Sequence, residues 1–161
     1  MDMDIDLFAI ILLACAAAGA TGAIFSPGEW YKTLEKPWFT PPDWAFPVAW
    51  TTIYLLISFA GARLAVLDGN QYAMAFWAAQ AALATLWTPL FFGVRRIKGS
   101  LAAMGPLWLS VLGCMVSAFA LDFWAGLAFV PYMVWVTVAA ALYFEMWRLN
   151  RDVKPLSVDQ I

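Results

Sequence analysis

Aromatic rings and cations are concentrated in residues 26–45, which read SPGEWYKTLEKPWFTPPDWA. The Trp, Tyr and Phe side chains supply rigid faces on which a flat apolar molecule could stack, and Lys32 or Lys36 could meet a carboxylate on it. Four prolines fix φ and remove backbone donors, so we predict a long Trp/Pro-rich loop and not a continuous helix. The competing interpretation is an aromatic belt at a membrane surface, where Trp and Tyr are common.

Other kinds of chemistry find little support in the residue types. The chain has no His, the usual proximal ligand of haem iron, although ligation by Met, Cys or Tyr stays open. Cys15 and Cys114 lie in apolar segments, which indicates neither a disulfide framework nor a metal site. Glu145 is the one acid within a late helix, and we expect it to pair with Arg148 three residues on. We predict no metal site, no obligatory cofactor and no nucleic-acid partner.

The elements that must position these residues are membrane-spanning helices. Apolar residues make up 64% of the 161 positions and charged residues 12%, a balance that a soluble domain of this size could not bury. A helix that crosses ~30 Å of hydrocarbon needs about 20 apolar residues. Five stretches satisfy this: residues 7–25, 46–67, 72–94, 101–121 and 124–147. The predicted fold class is an all-α integral membrane protein, a single domain over residues 1–161 formed by a bundle of five transmembrane helices.

The distribution of charge predicts the orientation of this bundle. Acidic residues precede the first apolar stretch, which argues against a signal peptide. Eight of the nine cations fall on one side, in the 26–45 loop, after residue 94 and at the C-terminal end, and only Arg63 falls on the other. Under the positive-inside rule, the N-terminus is outside and the C-terminus cytoplasmic. We expect Arg63, one turn from its helix end, to extend its guanidinium group toward water.

An ordered set of Trp and Pro residues resembles the signature of the tryptophan-rich sensory protein/translocator protein family. The similarity extends over nearly the whole chain. It is carried by residues 30–50, WYKTLEKPWFTPPDWAFPVAW, by residues 87–93, WTPLFFG, and by residues 121–132, LDFWAGLAFVPY. The resemblance implies a five-helix bundle, commonly a homodimer, whose pocket lies under the loop between the first two spans and takes flat hydrophobic ligands.

The resemblance also implies a function. Tetrapyrroles such as protoporphyrin IX or haem are the leading bacterial ligands, and sterols and synthetic aromatic compounds bind similar proteins. We therefore expect a membrane receptor or sensor that regulates tetrapyrrole-linked gene expression or transport. Two alternatives are a light-dependent porphyrin-degrading enzyme, with Trp50 and Trp135 as catalytic candidates, and a porphyrin or sterol transporter. A bacterial source is expected, with inner and outer membrane both open.

The expected ligand-binding residues combine stacking faces with slender walls. Trp50 and Trp135 match family pocket positions, and small residues near the second of them leave room between helices. The full set is Trp38, Phe46, Trp50, Trp135, Ala139, Ala140 and Leu142. For the alanines, close packing of helices is the competing explanation.

A loose cholesterol-recognition pattern is present near the C-terminal end in Val138, Tyr143 and Arg148. In the family motif an Asn usually precedes the Tyr, whereas here Tyr143 takes the Asn place and Phe144 the Tyr place. One residue is about 100° around a helix, so the hydroxyl would point elsewhere. Ala84 likewise stands where many members have Asn.

The third span has one face of small side chains at helical spacings of three and four: Ala75, Ala78, Ala79 and Ala82. This face could let two copies of the chain approach closely, with packing inside one chain as the alternative. Gln80, mid-helix, needs hydrogen-bond partners in hydrocarbon, either across a helix interface or on a ligand.

Overall fold

A computed structural model describes residues 4–25 and 28–153 of the chain. The acidic Asp2, the cationic Lys154 and the first two residues of the 26–45 loop, Ser26 and Pro27, lie outside this description. Every regular element in the described residues is a helix. The expected all-α fold is therefore confirmed.

Within the described residues, five helices are long and apolar enough to cross a membrane. They are α1 (Ile5–Ile24), α3 (Ala45–Ala65), α4 (Gln71–Thr88), α5 (Ile97–Leu121) and α6 (Phe123–Leu149). The short α2 (Glu29–Thr33) lies inside the long loop. The predicted spans agree with these bounds to within four residues, once the third span is extended through the π-helical turn that follows α4 and ends at Gly93. The agreement follows because a helix in a bilayer must satisfy its own backbone hydrogen bonds and its apolar run is visible in the sequence. The protein is a multi-pass membrane protein.

Side chains and prolines explain where several helices begin and end. The Asp4 carboxylate accepts the backbone N–H groups of Asp6 and Leu7, each at 3.0 Å, and so caps α1. Pro89 has no N–H to continue α4, and the chain passes into a π-helical turn, Pro89–Gly93, in which the Val94 N–H donates to the Pro89 carbonyl at 3.0 Å. This turn places two large rings in succession, Phe91 and Phe92, against Trp30 and Tyr31 of the loop.

The long helices form a ring in the order α1, α3, α6, α5, α4, with α4 returning to α1. Helix α6 packs against both α3 and α5, and its inner residues are among the most buried in the protein. Helix α1 is peripheral, since only Cys15 of its residues is buried. Much of the α1 surface is therefore left for lipid or for another protein.

Small residues allow the helices to approach closely at two crossings. A Cβ added to Gly113 of α5 would lie 2.7 Å from the ring of Phe76 on α4. On α3, a Cβ added to Gly61 would lie 3.1 Å from Nε1 of Trp77, whose N–H donates to the Ile57 carbonyl at 3.0 Å. In hydrocarbon such close approach supplies the packing that the hydrophobic effect cannot.

The two ends of the ring differ in charge. Seven of the eight described cations lie with the loop, the start of α5 and the end of α6. At the opposite end, Arg63 Nε donates to Asp122 Oδ1 at 2.9 Å, and a second guanidinium nitrogen pairs with the other carboxylate oxygen. The expectation that Arg63 extends freely to water was wrong, because both side chains are largely buried in this bidentate pair, 15% and 12% exposed. The carboxylate also accepts the Ala125 N–H at 2.7 Å and caps α6.

Candidate functional site

The long loop is held against the end of α6 by one buried side chain, Asn150. Its Nδ2 donates to the Glu35 carbonyl at 2.9 Å, and its Oδ1 accepts the Glu35 N–H at 3.0 Å. The same Nδ2 donates to the Met146 carbonyl at 2.8 Å, which ties the amide to its own helix. This two-way bond fixes the loop residues around Glu35 relative to α6.

Behind this anchor, the loop covers a tightly packed aromatic cluster formed with α4, the π-helical turn and α6. Trp87 and Phe91 stack with ring centroids 5.4 Å apart and planes 12° from parallel. Tyr143 lies 4.6 Å from Trp87 and 4.8 Å from Phe91, and the loop contributes Tyr31 at 6.2 Å from Phe91. Burial raises the pKa of Tyr31, and the nearby Asp43 carboxylate raises it further. The phenol therefore stays neutral and serves as a packing surface.

A second aromatic group, which we call the α3–α6 row, consists of Phe46, Trp50, Tyr54, Tyr132 and Trp135. Phe46 meets Trp135 edge to face at 5.6 Å, and Trp50 meets Tyr132 in the same manner at 6.0 Å. Trp50 and Tyr54 are 5.5 Å apart along α3. The structure thus brings together three of the predicted ligand-binding residues, Phe46, Trp50 and Trp135, each of them half-buried. Phe46 and Trp50 lie in the first turns of α3, directly after the loop.

The remaining predicted ligand-binding residues are placed apart from one another. Ala139 is half-buried and Leu142 fully buried on the α6 face that begins with Trp135. Trp38 is 94% exposed at the loop surface. Ala140 lines a lipid-facing groove of about 460 Å³ between α5 and α6, together with Gly105, Trp108 and Phe144.

A second groove of about 410 Å³, which we call the loop–α6 groove, lies at the cation-rich end. It is lined by Lys36, Pro37, Trp38, Phe39, Glu145, Arg148 and Leu149. Neither groove includes Trp50 or Trp135, whose rings pack against neighbouring rings. In this conformation the faces of the row rings are partly taken up by their neighbours, and neither groove opens onto them.

The sequence of this chain is similar to those of known proteins that belong to one family. A profile of the TspO/MBR family matches residues 10–148, which include the loop, the row and nearly all of α6. The chain belongs to the TspO/MBR family. It is 52% identical over 160 residues to Protein CrtK of Rhodobacter capsulatus, a match that covers 97% of this chain and 100% of the relative.

More distant TspO/MBR relatives carry both of the names that the sequence motifs indicated. The tryptophan-rich sensory protein of Cereibacter sphaeroides is 51% identical over 150 residues, covering 93% of this chain and 95% of the relative. The translocator protein of Bos taurus is 30% identical over 146 residues, covering 83% of each. The resemblance drawn from the Trp and Pro pattern is thereby confirmed.

The cholesterol-type pattern of this TspO/MBR chain is divided between two surfaces. Tyr143 is buried in the aromatic cluster, at 5% exposure, whereas Val138 and Arg148 point outward. Steps of five residues turn a helix by about 140°, so the three side chains cannot share one face. Phe144, in the family Tyr place, is exposed and lines the α5–α6 groove.

The small-residue face of α4 lies on the outside of the protomer. Ala75, Ala78 and Ala82 are exposed, and Ala79 is half-buried. Helices of the same chain therefore do not cover most of this face. The predicted dimer surface is open to lipid or to a second copy.

Some polar residues of the bundle interior were missed or left open by the sequence. In the sequence, Asn150 looks like an ordinary residue at a helix end. Its hydrogen bond to Glu35, 115 positions away, cannot be recognised from the residues around either of them. Tyr132 Oη and Gln80 Nε2 are both buried without a hydrogen-bond partner among the described residues. The interhelical partner expected for Gln80 is thus not found for its Nε2. In the same described part of the chain, no cluster of His, Cys, Asp or Glu could hold a metal ion.

Proposed function

We propose that this chain is a membrane sensor that binds tetrapyrroles, with protoporphyrin IX as the reference ligand, and that it acts as a homodimer. The observation that carries the proposal is the α3–α6 row, which begins where the loop ends. Its Phe46, Trp50 and Trp135 rings come from two different helices, and the row contacts lie one turn apart along the α3–α6 interface. Converging aromatic faces are what a large flat apolar ligand requires.

The polar groups near the row suit a ligand that carries acceptor atoms. The buried Tyr132 hydroxyl packs against Trp50 and has no partner in the described residues. A buried hydroxyl without a partner costs about 1–3 kcal/mol, which an acceptor atom of a ligand would recover. The absence of His from the sequence favours a metal-free porphyrin over haem, since iron would lack its usual axial ligand.

The loop supports the proposal because it connects the row to the cation-rich end of the protein. It is fastened to α6 through the Asn150 amide, while its exposed Trp38 and half-buried Lys36 lie at the surface. A ligand that contacts the loop would change the surface that the loop and α6 present at this end. We infer that this change passes the signal of ligand binding to a partner.

Titration of the purified protein with protoporphyrin IX, followed by quenching of tryptophan fluorescence, tests the proposal. We expect Trp50→Phe and Trp135→Phe each to weaken binding about fivefold, since loss of a stacking face costs on the order of 1 kcal/mol. Trp124→Phe is a matched control, because this exposed Trp lies at the far end of α6. Circular dichroism checks the fold of each variant. Unchanged affinity in both row variants would show that the ligand does not bind at the α3–α6 row.

A further inference from the structure

The loop–α6 groove has a fixed geometry, although the loop forms one of its walls. Asn150, at the end of α6, holds both backbone polar groups of Glu35 and so sets the position of the next residues, Lys36 to Phe39. Pro37 stiffens this segment and is buried. The opposite wall is the last helical turn of α6, with Glu145, Arg148 and Leu149. The two walls thus face each other across a groove that is formed before any ligand arrives.

The cations of the groove are incompletely paired. Lys36 Nζ lies 4.4 Å from the centroid of the Tyr31 ring and 3.5 Å from the Leu34 carbonyl oxygen, both weak contacts for an ammonium. No acidic side chain of the described residues forms a salt bridge with it. Arg148 Nη2 is 3.0 Å from Glu145 Oε2, and the arginine side chain is 59% exposed. The groove therefore carries two cations and one carboxylate.

Trp38 supplies an apolar face beside these charges. It is 94% exposed, and its only described ring contact is the edge of Phe39 at 5.7 Å. A large indole left uncovered next to an unpaired lysine and a half-exposed arginine offers a stacking surface and charge in one place. A molecule with a flat apolar body and carboxylates at its edge matches both features.

We propose that the loop–α6 groove recognises the carboxylates of the tetrapyrrole, with Lys36 and Arg148 as their partners and Trp38 as the adjoining face. The inference rests on the proposed function and adds the residues that distinguish an anionic ligand from a neutral one. Glu145 competes with the ligand for Arg148 and so weakens binding of every carboxylate. Neutral flat molecules, including sterols and porphyrin esters, gain nothing from these charges.

The test compares protoporphyrin IX with its dimethyl ester, which keeps the ring system and removes both charges. Each is titrated against the full chain and against Lys36→Gln, Arg148→Gln and Glu145→Gln in neutral detergent. Arg151→Gln is the matched control, because Arg151 lies at the same end over the Trp147 ring at 5.2 Å and does not line the groove. Size-exclusion chromatography and circular dichroism establish that each variant is folded.

We expect the parent to bind the diacid more tightly than the ester. Lys36→Gln and Arg148→Gln should each weaken diacid binding about two- to fivefold, the range of an exposed ion pair, and the loss should shrink at high salt. Glu145→Gln should strengthen diacid binding by a similar factor. Ester binding should be the same in all four variants and the parent.

Three results would overturn the inference. If diacid affinity is the same in the parent, Lys36→Gln and Arg148→Gln, the groove does not read the carboxylates, although the proposed function stands as long as protoporphyrin binds. Equal losses for diacid and ester would indicate a structural effect. If nanodiscs of phosphatidylglycerol abolish diacid binding to the parent and phosphatidylcholine nanodiscs do not, the groove binds the phosphate of an anionic lipid and not the porphyrin carboxylates. Failure of the parent to bind either porphyrin would instead refute the proposed function, and the inference with it.

Discussion

Asn150 joins the loop to α6 through three hydrogen bonds, all made by a single amide that is 8% exposed. Removing it leaves the Glu35 N–H and carbonyl without these partners at the edge of the membrane. Glu35 is exposed, so water can replace part of this bonding, and each lost bond costs about 0.5–1.5 kcal/mol. The loss falls on the loop, because α6 keeps its own backbone bonds.

We therefore expect Asn150→Ala to expose the loop to protease. Trypsin should cut after Lys32 at a rate well above that of the parent, while Lys36 is protected by the proline that follows it. Asn70→Ala is the matched control, since Asn70 donates to the Leu64 and Ala65 carbonyls at the opposite end of the bundle. Equal cleavage in the parent and both variants would mean that packing alone holds the loop.

The Arg63–Asp122 pair makes stability depend on pH. The hydrogen bonds from Arg63 lower the pKa of Asp122, and the N–H of Ala125 lowers it further. A carboxyl whose pKa is depressed by folding stabilises the protein above its unfolded value, about 4, and this stability is lost as pH falls through the folded value. Asp122→Asn removes the charge at every pH.

We expect Asp122→Asn to lower the free energy of unfolding at pH 7 by about 2 kcal/mol, the scale of a charged hydrogen bond. The difference between variant and parent should shrink as the pH is lowered from 5 toward 3. Thermal unfolding in detergent measures it, with exposed Asp68→Asn as the control. A difference that persists unchanged at pH 3 would contradict the assigned titration.

Among the helices, α4 combines two faces with opposite roles. Its inner face, which includes Ala73, Ala84 and Trp87, packs within the protomer. Its outer face carries the exposed Ala75, Ala78 and Ala82. Small side chains on a lipid-facing surface permit close contact between helices, which is consistent with the proposed homodimer.

We expect Ala78→Leu to weaken dimerisation, because the larger side chain would separate two α4 helices that meet at this face. Ala78 is a better site than half-buried Ala79, where a leucine would also disturb the protomer. Ala102→Leu, on the exposed face of α5, is the control. Cross-linking in mild detergent gives the dimer yield. A dimer yield equal to that of the control would show that the α4 face is not the dimer interface and contacts lipid instead.

Across the whole molecule, the ring of helices separates charge between its two ends. The loop, the start of α5 and the end of α6 bring their cations together at one end, while Asp4, Asp6 and Asp68 lie at the other. From this asymmetry the positive-inside rule predicts that the loop lies on the cytoplasmic side. Five spans would then put Asp6 and Arg151 on opposite sides of the membrane.

Single cysteines test this orientation in sealed membranes. We expect Asp6→Cys and Asp68→Cys to react with an impermeant thiol reagent from outside, and Arg151→Cys to react only from inside. Cys15 and Cys114 are 2% and 0% exposed, so the parent should react poorly and provides the background. Reaction of Asp6→Cys and Arg151→Cys from the same side would refute the five-span topology.

The sequence by itself determined the features that depend on neighbouring residues. The five spans follow from local apolar length, the Glu145–Arg148 pair from a spacing of three, and the family from the order of Trp and Pro residues. Each of these is a property of a short segment, or of a pattern of residue types along the chain. For the spans, the backbone must satisfy its own hydrogen bonds in hydrocarbon, so an apolar segment of this length forms a helix.

Only the tertiary structure decided which segments meet. Arg63 finds Asp122 59 positions away, and Asn150 finds Glu35 115 positions away. Predicted ligand-binding residues that look equivalent in the sequence are separated, with Trp50 and Trp135 in the α3–α6 row, Trp38 at the loop surface and Ala140 in a different groove. The reason is that the order of helices around the ring depends on side-chain fit between distant segments, at crossings such as Gly113 with Phe76, and hydropathy carries no information about that fit.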